Sequence, residues 1–65
     1  MPYVNIKITN ENVSVLDKQL LIEGITELLR SVLDKSPATT VVVIDEINTD
    51  NWGIGGETVT NLRQS

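Results

Sequence analysis

The run Val41-Val42-Val43-Ile44 constrains this chain more than any other stretch. Four consecutive β-branched residues read as a strand that is apolar on both faces, rather than one alternating between core and solvent. Such a strand needs cover on two sides, and the chain offers one helical pattern to supply it. Leu21, Ile25, Leu28, Leu29 and Val32 recur at helical spacing, with Lys18, Glu23, Glu27, Arg30 and Asp34 on the opposite side. One helix covers one face of a sheet. The other face is expected to find a second copy of the chain, so a homo-oligomer is expected on physical grounds.

The remaining pattern completes a small unit. From Tyr3 to Thr9 the residues alternate, with Val4, Ile6 and Ile8 on one face and Tyr3, Asn5, Lys7 and Thr9 on the other, which predicts a first strand. Asn10 to Asn12 break it, and Ser14, three residues ahead of Asp17, signals a helix start. Gly24 costs this helix roughly 1 kcal/mol against Ala and is expected to permit a close helix contact. Ser36-Pro37 is expected to end the helix, because a residue before proline is pushed out of the α region. After the second strand, Asn48 to Asn51 read as a turn, and Trp52-Gly53-Ile54-Gly55-Gly56 suits a tight hairpin or bulge. The tail from Glu57 to Ser65 is expected to add a short strand or turn. Strand, helix, strand makes one βαβ unit of the α/β class, with parallel strands and a right-handed crossover, over a single domain of residues 1–65.

A chain of 65 residues folding alone buries only about 60% of its unfolded surface. With no cysteine and no histidine, disulfides and zinc sites are absent as staples, which leaves oligomerisation. The lack of cysteine suits a reducing compartment, and no stretch reads as a signal peptide or a membrane span, so a cytoplasmic protein is expected. A net charge of −4, five scattered basic residues and only one Trp and one Tyr argue against nucleic-acid and anionic-membrane partners.

The same inventory limits chemistry. Without His or Cys, neither a Ser-His-Asp nor a Cys-His arrangement can be built. Asp45 and Glu46 are adjacent on a strand, point to opposite faces and cannot act as a pair. The glycines after Trp52 lack the Lys-Ser/Thr of a phosphate loop. No cofactor or metal motif is present, and a small molecule is the expected partner. One candidate is left. Pro2 follows Met1 directly, and removal of the methionine would leave a secondary amine with a pKa near or above the α-amino range of about 7.7–8.0. The ordinary alternative is a proline at the start of an edge strand, where no backbone donor is needed.

Met1-Pro2-Tyr3-Val4-Asn5-Ile6-Lys7-Ile8 at the start, one amphipathic helix before Ser36-Pro37, the strand from Val41 to Ile47, and Asn51-Trp52-Gly53-Ile54-Gly55-Gly56-Glu57 together resemble the 4-oxalocrotonate tautomerase family, most of all its DmpI-type members. The resemblance covers essentially the whole chain. It implies a βαβ subunit with a C-terminal hairpin, paired into dimers and assembled as a hexamer, a trimer of dimers. It also implies an isomerase in which the N-terminal proline, here Pro2, moves a proton between the keto and enol forms of a small 2-oxo acid or related enol. Trp52 corresponds to the family's aromatic pocket residue and Arg63 to its C-terminal arginine. An amine among apolar groups such as Val4, Ile54 and Trp52 is expected to have its pKa lowered towards neutrality.

The chain also departs from this family. Members acting on dicarboxylates carry an arginine after the first strand and another at the start of the second, where this chain has Asn12 and Val41. Neither can supply the bidentate fork of an arginine. Lys7 is a substitute cation or, as strand lysines usually are, a solvated side chain. Two alternatives stay open: another proline-dependent reaction, such as dehalogenation or hydration of an unsaturated acid, and a non-catalytic oligomeric module in which Met1 is retained.

Overall fold

A computed structural model describes residues 1–64. Strand β1 (Tyr3–Thr9) pairs in parallel with β2 (Val41–Ile47), in register from Tyr3 opposite Val41 to Thr9 opposite Ile47. The connection is helix α1 (Val15–Leu33), and a short antiparallel hairpin, β3 (Gly53–Ile54) and β4 (Glu57–Thr58), follows before a final helix, α2 (Val59–Gln64). The βαβ unit and hairpin expected from the sequence are borne out.

Local chemistry explains the boundaries. Ser14 caps α1, its Oγ accepting from the Asp17 N–H at 3.0 Å. The helix stops at Leu33, ahead of the expected Ser36-Pro37 boundary, because Asp34 takes a left-handed conformation (φ 55°) and donates to Arg30 O. Pro37 instead opens one 3₁₀ turn, Pro37–Thr39, that leads into β2. The β3–β4 loop is Gly55-Gly56, both at positive φ (62° and 85°), as a two-residue hairpin requires. The tail forms the short strand that was expected and also a helix, α2, that was not. Thr58 Oγ1 accepts from the Asn61 N–H at 3.1 Å and Thr60 Oγ1 lies 2.6 Å from Thr49 Oγ1, so side-chain bonds hold a helix too short for periodicity to reveal. Ser65 lies outside the described residues.

The sheet has one covered face. Glu46 pairs with Lys18 of α1, so Val4, Ile6, Val42 and Ile44, which share its side of the strands, face the helix. On the other side Tyr3, Val41 and Val43 are exposed. The run Val41 to Ile44 is therefore not covered on both faces within one chain, because the single helix reaches only one of them. Among the described residues only Val59, 7% exposed, is buried.

Helix α1 also differs from its expected orientation. Ile22, Ile25 and Leu29 are the half-buried apolar residues, while Leu21, Leu28 and Val32 are exposed. The helix thus carries two apolar stripes, one on the sheet and one facing outward. Gly24 lies between Leu21 and Leu28 on the outward stripe, and within the chain a Cβ there would meet nothing within 4 Å. The close contact expected at Gly24 is not made inside this chain.

Candidate active site

A cavity of about 530 Å³ opens between the C-terminal end of β1 and the hairpin–α2 segment. Trp52, Ile54, Val59 and Leu62 give it an apolar floor. Its polar wall is Lys7, Thr9, Glu11 and Arg63. Both basic residues have carboxylate partners. Lys7 Nζ lies 3.1 Å from Asp45 Oδ2, and Arg63 Nη2 lies 2.5 Å from Glu11 Oε1.

These pairs set the local electrostatics. A hydrogen bond from Arg63, a second from Thr9 Oγ1 at 3.1 Å and the Arg63 charge hold the Glu11 carboxyl below the usual range. Asp45 is held low first by the Asn5 amide, which donates at 2.9 Å, and then by Lys7. Glu11 reaches the wall because the β1–α1 loop turns sharply. Asn10 N–H donates to Ile47 O at 2.8 Å, and Asn12 takes φ 59°, a left-handed position that asparagine tolerates well.

The structure thus brings together Lys7, Trp52 and Arg63. It does not bring Pro2 to them within one chain. Pro2 sits at the opposite end of β1, its carbonyl accepting from the Val41 N–H at 3.0 Å. The strand rise places it about 16 Å from Lys7. Ile54 and Trp52 therefore do not surround the Pro2 nitrogen of their own chain, in contrast to the expected apolar setting. Asn12 stands exposed beside Glu11, and Val41 lies next to Pro2 at the start of β2. Sequence reasoning passes over Glu11 and takes Asp45 only as a carboxylate that cannot pair with Glu46. Only contacts across 52 and 38 residues give them their roles, and no local spacing signals such pairs.

Residues 2–62 match the family model described as a tautomerase enzyme. The chain belongs to the tautomerase family. It is 61% identical over 64 residues to "Probable tautomerase K2" of Dickeya dadantii (strain 3937), covering 98% of this chain and 96% of that one. Among solved structures it resembles DmpI from Helicobacter pylori, with a TM-score of 0.88, 45% identity and 98% of each chain covered. A heterohexameric 4-oxalocrotonate tautomerase from Chloroflexus aurantiacus J-10-fl shares the fold at 24% identity, with a TM-score of 0.84 over 97% of this chain and 100% of the other. The resemblance to 4-oxalocrotonate tautomerases of the DmpI kind is borne out, and the protein is an isomerase, a tautomerase. No described helix of this tautomerase is long and apolar enough to cross a membrane.

Proposed function

We propose that this tautomerase interconverts the keto and enol forms of a small 2-oxo acid or related enol, with the Pro2 amine, freed by removal of Met1, as the proton carrier. The observation that carries the reading is the cavity, an apolar floor under Trp52 and Ile54 with one guanidinium, Arg63, at its wall. That arrangement suits a flat conjugated molecule with a single carboxylate. In the proposed step the neutral Pro2 nitrogen takes the enol hydroxyl proton, and the resulting ammonium returns a proton to carbon. Substrate and product are isomers, and the amine is regenerated. A base with a pKa near working pH serves both halves of this transfer.

The separation of Pro2 from the cavity supports a site completed between chains, with the Pro2 of one copy facing the Trp52, Arg63 and Lys7 of another. The exposed sheet face and the outward stripe of α1 are surfaces on which copies can pack, and the heterohexameric structural neighbour is in keeping with a hexamer, which we take to be a trimer of dimers. A cysteine-free chain of this kind suits the cytoplasm. Dehalogenation or hydration would need an arginine grip and a carboxylate free to activate water, whereas the cavity's Glu11 is engaged by Arg63.

The test is intact mass followed by kinetics. The natively expressed protein should lack Met1, and Pro2→Ala should lower ketonisation of a mono-acid aryl enol at least a hundredfold with an unchanged melting curve. A retained Met1 makes the Pro2 nitrogen an amide and leaves the non-catalytic oligomeric module. Equal rates for the two amines would remove Pro2 from the chemistry.

A further inference from the structure

We infer that Glu11 is a specificity-determining residue, a built-in carboxylate that occupies part of Arg63 and makes the cavity select substrates bearing one carboxylate over those bearing two. The inference rests on the reading of this cavity as the substrate site. A guanidinium has five N–H donors in a planar fork. Glu11 takes the Nη2 edge at 2.5 Å, which leaves the remaining donors for one further carboxylate.

The other cation on the wall does not restore the balance. Lys7 is held by Asp45, which Asn5 fixes from the side at 2.9 Å. A substrate with one carboxylate meets a shared arginine. A dianion must place its second carboxylate near Glu11 or displace it, and like charges at close range oppose that. Glu11 is also held in position: Thr9 Oγ1 donates to its Oε1 at 3.1 Å, and Asn10 and Asn12 shape the turn that carries it. The carboxylate therefore belongs to the cavity wall and is more than a chance partner of a terminal arginine.

The experiment uses the full-length assembled protein and Glu11→Gln, which keeps the side-chain shape and an acceptor for Thr9 while removing the charge. The kcat/KM for a dicarboxylate dienol, relative to that for a mono-acid enol, should rise about tenfold. That rise should vanish when Arg63→Met is added, since the guanidinium charge that position 11 no longer balances is its source. A second readout needs no turnover. Trp52, the only tryptophan in the chain, lines the cavity, so its fluorescence reports occupancy by two unreactive acids, adipate and hexanoate. In Glu11→Gln, adipate should bind about tenfold tighter and hexanoate within twofold of the parent. Glu11→Ser, which lacks the isosteric amide, should move both ratios the same way. Unchanged ratios, or equal gains for both acids, overturn the role of Glu11. If the parent protein turns over neither enol, the proton-transfer reading of Pro2 fails, and the adipate and hexanoate titrations still decide the inference.

Discussion

Asn5 and Asp45 are forty residues apart in the chain and joined across the two parallel strands, the Asn5 amide donating to Asp45 Oδ2 at 2.9 Å. Together with Lys7 this bond depresses the Asp45 pKa, and the sign of the resulting pH dependence follows. A depressed carboxylate contributes stability that is fully present above its unfolded value of about 3.9 and is lost as pH falls through the lower folded value. Asn5→Ala should raise the folded pKa of Asp45 and diminish this contribution. The acid-unfolding midpoint, followed by circular dichroism below pH 4, should then move to higher pH, while neutral-pH melting changes less. An identical acid midpoint in the variant would show that Asn5 does not hold Asp45 in solution.

A second pair ties helix to sheet. Lys18 of α1 meets Glu46 of β2 with side chains only 31% and 24% exposed, whereas Arg30 and Glu27 pair on the open surface of α1. Partial burial strengthens the first pair, and solvent screens the second. Glu46→Gln should cost about 1 kcal/mol, near the upper end for ion pairs not fully buried. Glu27→Gln should leave stability unchanged. Denaturant melts of both variants at neutral pH separate the cases, and equal effects would show that the position of Glu46 under the helix adds nothing.

Helix α1 shows how far the sequence could be read. Its limits were nearly legible, since Ser14 is a capping residue whose bond to Asp17 is local. Its orientation was not. Leu21 and Leu28 fit the same period as Ile25 and Leu29, and periodicity alone cannot say which of two apolar stripes meets the sheet. The hairpin was legible because Gly55-Gly56 can take two successive positive φ values at little cost, while α2 was not, because six residues held by Thr58 and Thr49 carry no pattern. At the candidate site, Trp52, Arg63 and Lys7 were named from residue type and resemblance. Glu11 escaped notice because its importance lies in a contact with a residue near the far end of the chain.

The outward stripe of α1 leads to a prediction about assembly. With Leu21, Leu28 and Val32 exposed and only Val59 buried among the described residues, one chain has too little core to be stable alone. Sedimentation at micromolar concentration should find an oligomer, with hexamer the expected species and Trp52 shielded from a soluble quencher. Gly24→Leu fills the gap between Leu21 and Leu28 and should shift the population to smaller species, with a concentration-dependent loss of melting temperature. A cooperatively melting monomer, or an unaffected oligomer in Gly24→Leu, would count against packing through this stripe.

Substrate preference tests the pocket as a whole. The family resemblance implies that Asn12 and Val41 occupy positions where members acting on dicarboxylates carry arginines, and each charge-assisted contact missing there would be worth roughly 1.5–3 kcal/mol. The cations that are present do not make up the deficit, since Lys7 and Arg63 already have Asp45 and Glu11 within ion-pair distance. What the cavity offers besides is apolar surface from Trp52, Ile54, Val59 and Leu62. A mono-acid aryl enol, held by that floor and by the open edge of Arg63, should therefore be ketonised at least as efficiently as a dicarboxylate dienol. Measuring kcat/KM for both with the processed protein decides the matter. A hundredfold preference for the dicarboxylate, about 2.7 kcal/mol of discrimination, would require a cation that neither Lys7 nor Arg63 can supply while paired, and would move the substrate site away from this cavity.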